Sequence, residues 1–445
     1  MPTDDRFSSA ADDDRPGQAA QRSPRRSEIR SMPAGTPRPG DLNDTGPIPT
    51  GSSEPDEPPI GTAAGGGLAY PAQSEPERRR RWPKVLAWTL IPLVLLLGAA
   101  AAGVGWHYSN EILTVTDGEE PYDVEIVDVR HGAVVLAGDE VDHPQITGLD
   151  WAGGYARLLA GAETTADGVL REFEPFPDTP EPGTNARLDF YAAPEELASV
   201  TDIGAEHVTF DAPLGALDAT YVPGEEDRWV IFVHGRGASR AETFRLLPAV
   251  AELGYPSMAI SYRNDTGAPE DPNGWWGLGW TESADLTAAV DYAVANGAED
   301  VVLVGYSMGG AIVGNYLRTE GDDRVAGVIY DSPVLSWTDT IDFEAADRGL
   351  PSFLTTLASA AVRVRAGIDF SELDQVDHAD RLSVPVLLVH GTGDETVPVA
   401  SSDEFAEQRP DLVTYLRLDG AEHVQGWNSH RRLYEDSVVT FLSGL

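Results

Sequence analysis

Val301-Val302-Leu303-Val304-Gly305-Tyr306-Ser307-Met308-Gly309-Gly310 is a run of β-branched and aliphatic residues that ends in Gly-x-Ser-x-Gly. It opens into Ala311-Ile312-Val313-Gly314-Asn315-Tyr316-Leu317. The first part predicts a fully buried strand and the last a helix, with the serine in the sharp turn between them. Such a turn strains the backbone, so small residues must flank the serine. Gly305 and Gly309 fill those places, and Gly310 lets the helix pack close. The turn lifts the Ser307 hydroxyl out of the sheet and points the amides that follow at the same space. Ser307 is the candidate nucleophile. The five-residue pattern alone is common; the strand before it and the helix after it give it meaning.

Outward from this turn the chain repeats strand, loop and helix. An entry hairpin is predicted at His207–Phe210 and Leu217–Val222, then strands at Trp229–Val233, Ser257–Tyr262, Asp300–Val304, Val325–Tyr330, Val384–Val389 and Val413–Leu418. Helical patterns alternate with them at Ala241–Ala251, Glu282–Ala295, Met308–Arg318, Ser401–Gln408 and Arg431–Leu442. Continuous apolar strands alternating with amphipathic helices imply an α/β fold, a mostly parallel sheet covered on both faces. Right-handed crossovers put the strand C-terminal ends on one edge, where ligands bind.

The residues at that edge carry chemistry. His234-Gly235-Arg236-Gly237 follows the Trp229–Val233 strand. Amides in such a turn stabilise the oxyanion of a tetrahedral intermediate. One donor is expected from Met308, just after the nucleophile, and the other from Arg236. His234 is read as structural. His390-Gly391-Thr392-Gly393-Asp394-Glu395-Thr396-Val397-Pro398 follows the next-to-last strand, and Asp394 is the candidate that orients a catalytic imidazole. Asp331, at the end of the preceding strand, is the rival acid. Ala421-Glu422-His423 follows the last strand, and His423 completes the order Ser, Asp, His as general base, with His430 the fallback.

These three ordered motifs resemble the α/β-hydrolase superfamily, and more closely its serine-aminopeptidase-like and prolyl-oligopeptidase-like serine hydrolases. The likeness covers about 207–445. It implies an α/β-hydrolase fold with an acyl-enzyme mechanism, and it is weak for substrate, because this fold hosts esterases, lipases, peptidases and acyltransferases. Two stretches depart from the common pattern. Trp275, Trp276 and Trp280 share one loop, and with Tyr306 they are the candidate substrate-binding residues; the tryptophans either form a stacking or acyl-binding wall or pack under a cap. Residues 336–380 form an insertion with an apolar helical pattern at Phe353–Val362, either a cap over the site or ordinary helix packing.

Before the α/β rhythm starts, 109–206 predicts a small β-rich accessory module. Tyr122–Val129 and Gly132–Leu136 read as a hairpin, and Gly148–Tyr155 and Leu188–Tyr191 as further strand-like pieces, with no chemistry in them. Val85 to Trp106 has no charged residue and is long enough to cross a bilayer. Arg78-Arg79-Arg80-Arg81 and Lys84 precede it, so the positive-inside rule puts the N-terminus in the cytoplasm and the rest of the chain outside. The competing reading is a signal peptide cut at Ala100-Ala101-Ala102. Residues 1–77 are rich in Pro, Gly, Ser, Asp and Arg and predict a disordered cytoplasmic tail. The anchored architecture is similar to envelope hydrolases of high-GC actinobacteria.

Over 445 residues the formal net charge is −42, which argues against nucleic-acid or anionic-membrane binding by the folded part. There is no cysteine, so disulfides, thiolate metal sites and cysteine nucleophiles are excluded. The scattered histidines and the lack of Gly-x-x-x-x-Gly-Lys suggest neither metal nor nucleotide, and no cofactor is expected. The expected function is a serine hydrolase acting outside the membrane on a small-molecule or lipid-like acyl substrate, carboxylester hydrolysis first. A peptidase or an envelope acyltransferase would use the same triad. An inactive hydrolase-fold binding protein is the alternative from another class.

Overall fold

The computed structural model describes residues 82–116, 121–174, 179–195, 197, 202–321 and 323–445. The expected tail and its four-arginine flank lie outside the described residues.

Helix α1 (Trp82–Leu113) is one uninterrupted helix of 32 residues, although Pro92 lies inside it. Its stretch from Ala87 to Leu113 is long and apolar enough to span a membrane. Trp88 and Leu93 to Leu97 stand exposed on it. From Gly105 onward the helix leaves this exposed regime and docks on protein. Ser109 and Leu113 are fully buried, and Leu113 belongs to the main hydrophobic core of the α/β domain.

Seven antiparallel strands follow among the described residues: β1 (Val124–Arg130), β2 (Ala133–Ala137), β3 (Thr147–Trp151), β4 (Gly154–Leu158), β5 (Glu163–Thr164), β6 (Val169–Glu174) and β7 (Asn185–Asp189). Their order β2-β1-β7-β3-β4-β6, with β6 pairing back to β2, closes a small barrel, and β5 hangs on β6. Closure removes the exposed edges that a two-hairpin module would leave. Val124, Ile126, Val134, Leu136, Leu149, Trp151 and Phe173 fill it. Arg171 is fully buried and donates to the carbonyls of Val141, Gln145 and Leu159, and burial pushes its guanidinium down to about 10.

The α/β domain begins with β8 (Glu206–Ala212), β9 (Gly215–Val222) and β10 (Arg228–Val233). It continues through α2 (Ala241–Phe244), α3 (Leu247–Ala251), β11 (Ser257–Ile260), α4 (Ser283–Ala295), β12 (Asp300–Tyr306), α5 (Met308–Glu320) and β13 (Val325–Asp331). Then come α6 (Trp337–Asp347), α7 (Ser352–Ala366), β14 (Val386–Gly391), α8 (Val399–Gln408), β15 (Val413–Leu418) and α9 (Gly426–Gly444). The eight strands run in the order β15-β14-β13-β12-β10-β11-β9-β8, with β10 to β15 parallel and the β8–β9 hairpin antiparallel at one edge. From β10 the chain moves outward to β11, then returns to the other side of β10 as β12. That reversal is the topological switch point, where α/β sheets bind ligands.

The single helix expected over Ala241–Ala251 is two short ones. Pro248 supplies no N–H and its ring crowds the carbonyl four residues back, so the helix breaks at Arg245–Leu246. The 336–380 insertion contains α6 and α7, and α7 packs against α1. At their contact a Cβ on Gly105 would lie 2.7 Å from the Leu357 carbonyl oxygen, so the crossing needs a glycine there. Arg365 on α7 lies over the Trp106 ring at 3.9 Å and over Trp275 at 4.8 Å, and it bonds Ser109.

Candidate active site

Ser307 sits between β12 and α5 at φ 50° and ψ −118°, a conformation that side chains other than glycine rarely adopt. The elbow holds because its surroundings leave no slack. A Cβ on Gly309 would lie 2.2 Å from the Val233 carbonyl oxygen, so α5 starts in contact with β10. The Ser307 amide donates to the Asp331 carbonyl and its carbonyl accepts from Val334, which ties the turn to the end of β13.

The three ordered motifs meet at the C-terminal edge of the sheet. His423 Nε2 lies 2.9 Å from Ser307 Oγ, and His423 Nδ1 lies 2.7 Å from Asp394 Oδ2. Asp394 is fixed from behind: Oδ1 accepts from the amides of Thr396 (2.9 Å) and Val397 (2.8 Å), and Oδ2 lies 3.1 Å from His390 Nε2. The other nitrogen of His390 lies 2.7 Å from Ser402 Oγ. Because His390 Nε2 faces only acceptors, Asp394 and the Val397 carbonyl, that nitrogen carries a proton and donates to them. Desolvation opposes ionisation of Asp394, yet the bonds from His390 and His423 outweigh it and hold the carboxyl well below the usual range. Burial likewise opposes charge on His423, but Asp394, with Glu242 and Asp331 behind it, holds the imidazole above its ordinary 6.5.

Asp331 does not reach His423 by a hydrogen bond; its Oδ2 accepts from Tyr434 at 3.0 Å, and burial raises its pKa. His430 bonds Ser429 at a non-helical point within α9. His234 is fully buried, stacked on Tyr262 at 4.3 Å, with Nε2 2.9 Å from Asp265.

Beside Ser307 lies a cavity of 230 Å³ lined by Gly235, Arg236, Glu242, Arg245, His423 and Tyr191, among others. Gly235 packs on the Ser307 Cβ, and its amide donates to Glu242 Oε2 at 2.6 Å. That bond occupies the Gly235 amide and leaves Arg236 as the next donor of the loop; Met308 opens α5 on the other side. None of Trp275, Trp276, Trp280 and Tyr306 lines this cavity. Trp276 is buried in the core, where its amide donates to the Leu113 carbonyl of α1, and Trp275 bridges Thr114. Trp280 lies under the Arg318 guanidinium at 5.0 Å, and Tyr306 is wholly buried under the sheet edge. The tryptophan loop seats the last turns of α1, which runs straight into the domain.

Sequence reading missed the wall that the barrel supplies. Phe190 and Tyr191, just after β7, line the cavity at Ser307. They are held there by α9: Asn428 donates to the Ile146 and Phe190 carbonyls, and Arg157 lies over the Trp427 ring at 5.5 Å. No local signal could have placed them, because the contact joins residues more than two hundred positions apart. Ser332 is a second case. At φ 45° its hydroxyl accepts from the Val424 amide and so holds the loop that carries His423. His390 was missed as well, although its place four residues before Asp394 is a signal the sequence does carry. Among the described residues no group of three or more His, Asp or Glu is placed to hold a metal.

Residues 228–378 match the family model for the alpha/beta hydrolase fold. The domain has the α/β-hydrolase fold. Similar curated proteins include the uncharacterized protein YqkD of Bacillus subtilis, 21% identical over 227 residues, covering 50% of this chain and 73% of that one. Protein ABHD12B of Homo sapiens is 26% identical over 189 residues, 40% of this chain and 49% of its own. The acylamino-acid-releasing enzyme of Arabidopsis thaliana is 26% identical over 201 residues, 41% of this chain and 25% of its own. This chain thus spans half or less of the length of the last two. Among solved structures, an esterase of Pyrococcus furiosus shares 20% identity at a TM-score of 0.44, over 54% of this chain and 90% of its own. A monoacylglycerol lipase of Paleococcus ferrophilus shares 21% at 0.41, over 51% and 98%. The hydrolase domain keeps the barrel and α1 within one compact unit, Arg79–Leu445.

Proposed function

We propose that the chain is a membrane-anchored serine hydrolase that cleaves carboxylic esters through an acyl-enzyme, with Ser307 as nucleophile, His423 as general base and acid, and Asp394 as the orienting carboxylate. The observation that carries the reading is the unbroken hydrogen-bond path from Ser307 through His423 to Asp394 beside an open cavity. Ser307 Oγ attacks the ester carbonyl carbon as its proton passes to His423 Nε2. The amides of Met308 and Arg236 hold the oxyanion. The tetrahedral adduct collapses, the C–O bond to the alcohol breaks, and His423 returns the proton to the departing oxygen. Water, deprotonated by the same histidine, then releases the acid and restores Ser307.

The anchor supports an extracytoplasmic domain, in the manner of actinobacterial envelope hydrolases. A membrane-impermeant fluorophosphonate applied to intact cells is expected to label the wild-type chain and not Ser307→Ala. Labelling that persists in Ser307→Ala would remove Ser307 as nucleophile, and labelling only after lysis would reverse the orientation. The likeness to the acylamino-acid-releasing enzyme favours peptide-bond cleavage as the second reading, in the peptidase-like branch of the superfamily. Higher kcat/KM on acylaminoacyl p-nitroanilides than on p-nitrophenyl esters would select it.

His423 must be neutral to act as a base. Because its folded pKa lies above 6.5, kcat/KM is expected to fall as pH drops through a value above 6.5. Glu242→Gln removes a negative charge facing His423, so the acid limb should move to lower pH. An unmoved limb would show that Glu242 does not bear on His423.

A further inference from the structure

A second cavity, of 580 Å³, lies between the last turns of α1 and the helices α6 and α7. Its apolar wall includes Tyr108 and Ile112 from α1, Trp337 and Ile341 from α6, and Leu350 and Leu354 at the start of α7. The volume falls in the range of sites for small organic ligands. Arg236 lines this cavity as well as the one beside Ser307, and its guanidinium donates to the Glu111 carbonyl of α1 at 3.2 Å. The residue expected to hold the oxyanion is therefore also the partition between the two spaces.

The position of the cavity relative to a bilayer follows from length. About 20 helical residues cross the ~30 Å hydrocarbon core. The uncharged stretch from Val85 reaches that length at about Val104, and His107, which lines the cavity, is one turn further on. The cavity thus opens where the helix leaves the lipid. Charges gather there: Arg348 lies 3.5 Å from both Glu111 and Glu344, with all three partly exposed. Phe353, beside Leu354, and Val364, near the other end of α7, are 61% and 86% exposed, apolar groups on a helix that flanks the anchor. An apolar wall, a charged rim at the interface and, through Arg236, a shared boundary with the cavity at Ser307 fit one kind of occupant.

We propose that this cavity holds the hydrocarbon chain of a long-chain acyl ester taken from the adjoining bilayer leaflet, with the ester carbonyl at Ser307. The head of that amphiphile then occupies the smaller cavity, whose lining includes Glu242, Arg245 and Gln425. The inference rests on the serine-ester-hydrolase reading and names its substrate class. It makes the membrane anchor a wall of the substrate site.

The test uses the full chain in phosphatidylcholine nanodiscs. Hydrolysis of p-nitrophenyl decanoate and p-nitrophenyl acetate is compared in wild type, Ile341→Trp and Leu350→Trp, two substitutions that fill the cavity. Fluorophosphonate labelling of Ser307 first establishes that each variant has kept its elbow. Wild type is expected to favour decanoate, and each variant to lose about tenfold or more on decanoate while acetate stays within about twofold. Equal losses on both esters, or no loss on either in labelling-competent variants, would overturn the proposal. A second arm does not depend on turnover. Ser307→Ala chain is irradiated with a diazirine-bearing palmitate methyl ester and digested. Adducts on the peptides containing Ile112, Ile341 or Leu354, lost in Ser307→Ala/Ile341→Trp, support the cavity as the chain site; adducts confined to 87–104 overturn it. If wild type cleaves neither ester while these adducts form, the hydrolase reading fails and the binding site stands.

Discussion

Asp394→Asn is expected to lower kcat/KM on a p-nitrophenyl ester by about 10,000-fold, whereas Asp331→Asn should stay within about tenfold of wild type. The reason is the tautomer of His423. The carboxylate accepts from Nδ1 at 2.7 Å and so leaves Nε2 free to accept the Ser307 proton at 2.9 Å. An asparagine can turn its NH2 toward Nδ1, which moves the imidazole proton to Nε2, where it cannot act as a base. The loss of charge also removes the largest favourable influence on the imidazolium that forms during attack. Asp331 has its own partner in Tyr434 and touches His423 only through the field, so its neutralisation is a modest electrostatic change. If the two losses came out in the reverse order, the orienting acid would be Asp331.

Arg245→Ala is expected to lower the melting temperature by about 6–12 °C and to reduce activity with it. Arg245 is 3% exposed. Its guanidinium donates to Asn428 Oδ1 at 2.9 Å, to the Val424 carbonyl at 2.7 Å and to the Phe190 carbonyl at 3.3 Å. One side chain therefore ties together α9, the loop that follows His423 and the barrel segment that walls the site. Removing it leaves three buried acceptors without this donor, at about 1–3 kcal/mol each, partly relieved by water entering the space. A total of about 3 kcal/mol corresponds to that shift for a domain of this size. Differential scanning fluorimetry of the chain in nanodiscs checks it, and a change below about 2 °C would show that the three elements are held by other contacts.

The sheet was legible because buried parallel strands must be continuously apolar and because each is cut by glycine or a charged loop. Val413–Leu418 was placed to the residue, and the other five parallel strands differ by up to two residues at their ends. The site followed from the same rule. Ser307, Asp394 and His423 each stand just beyond a strand, and parallel strands end at one edge. Helix α6 was missed: Trp337–Asp347 mixes acids and apolar residues without a clean stripe, and only its Ser336 N-cap, accepting from the Asp339 amide, marks the start. Of the barrel, the β1–β2 hairpin was legible; Gly148–Tyr155 was read as one strand-like piece where β3 and β4 form a hairpin, and neither β5, β6 nor the closed ring was read. Closure depends on β2 meeting β6, a pairing between segments that no local pattern links.

By itself the sequence determined the order of motifs, the strained serine turn, the apolar length of α1 and the sign of the chain's charge. All of these are properties of a residue and its near neighbours, written in period, spacing and composition. Only the tertiary structure decided that the accessory module walls the site through Phe190 and Tyr191, that Trp275 and Trp276 seat the C-terminal end of α1, and that α1 packs on α7 through Gly105. Those contacts arise from burying faces that each element presents equally to any apolar partner. Their choice is a property of the whole packed chain, settled where shape and hydrogen bonding fit together.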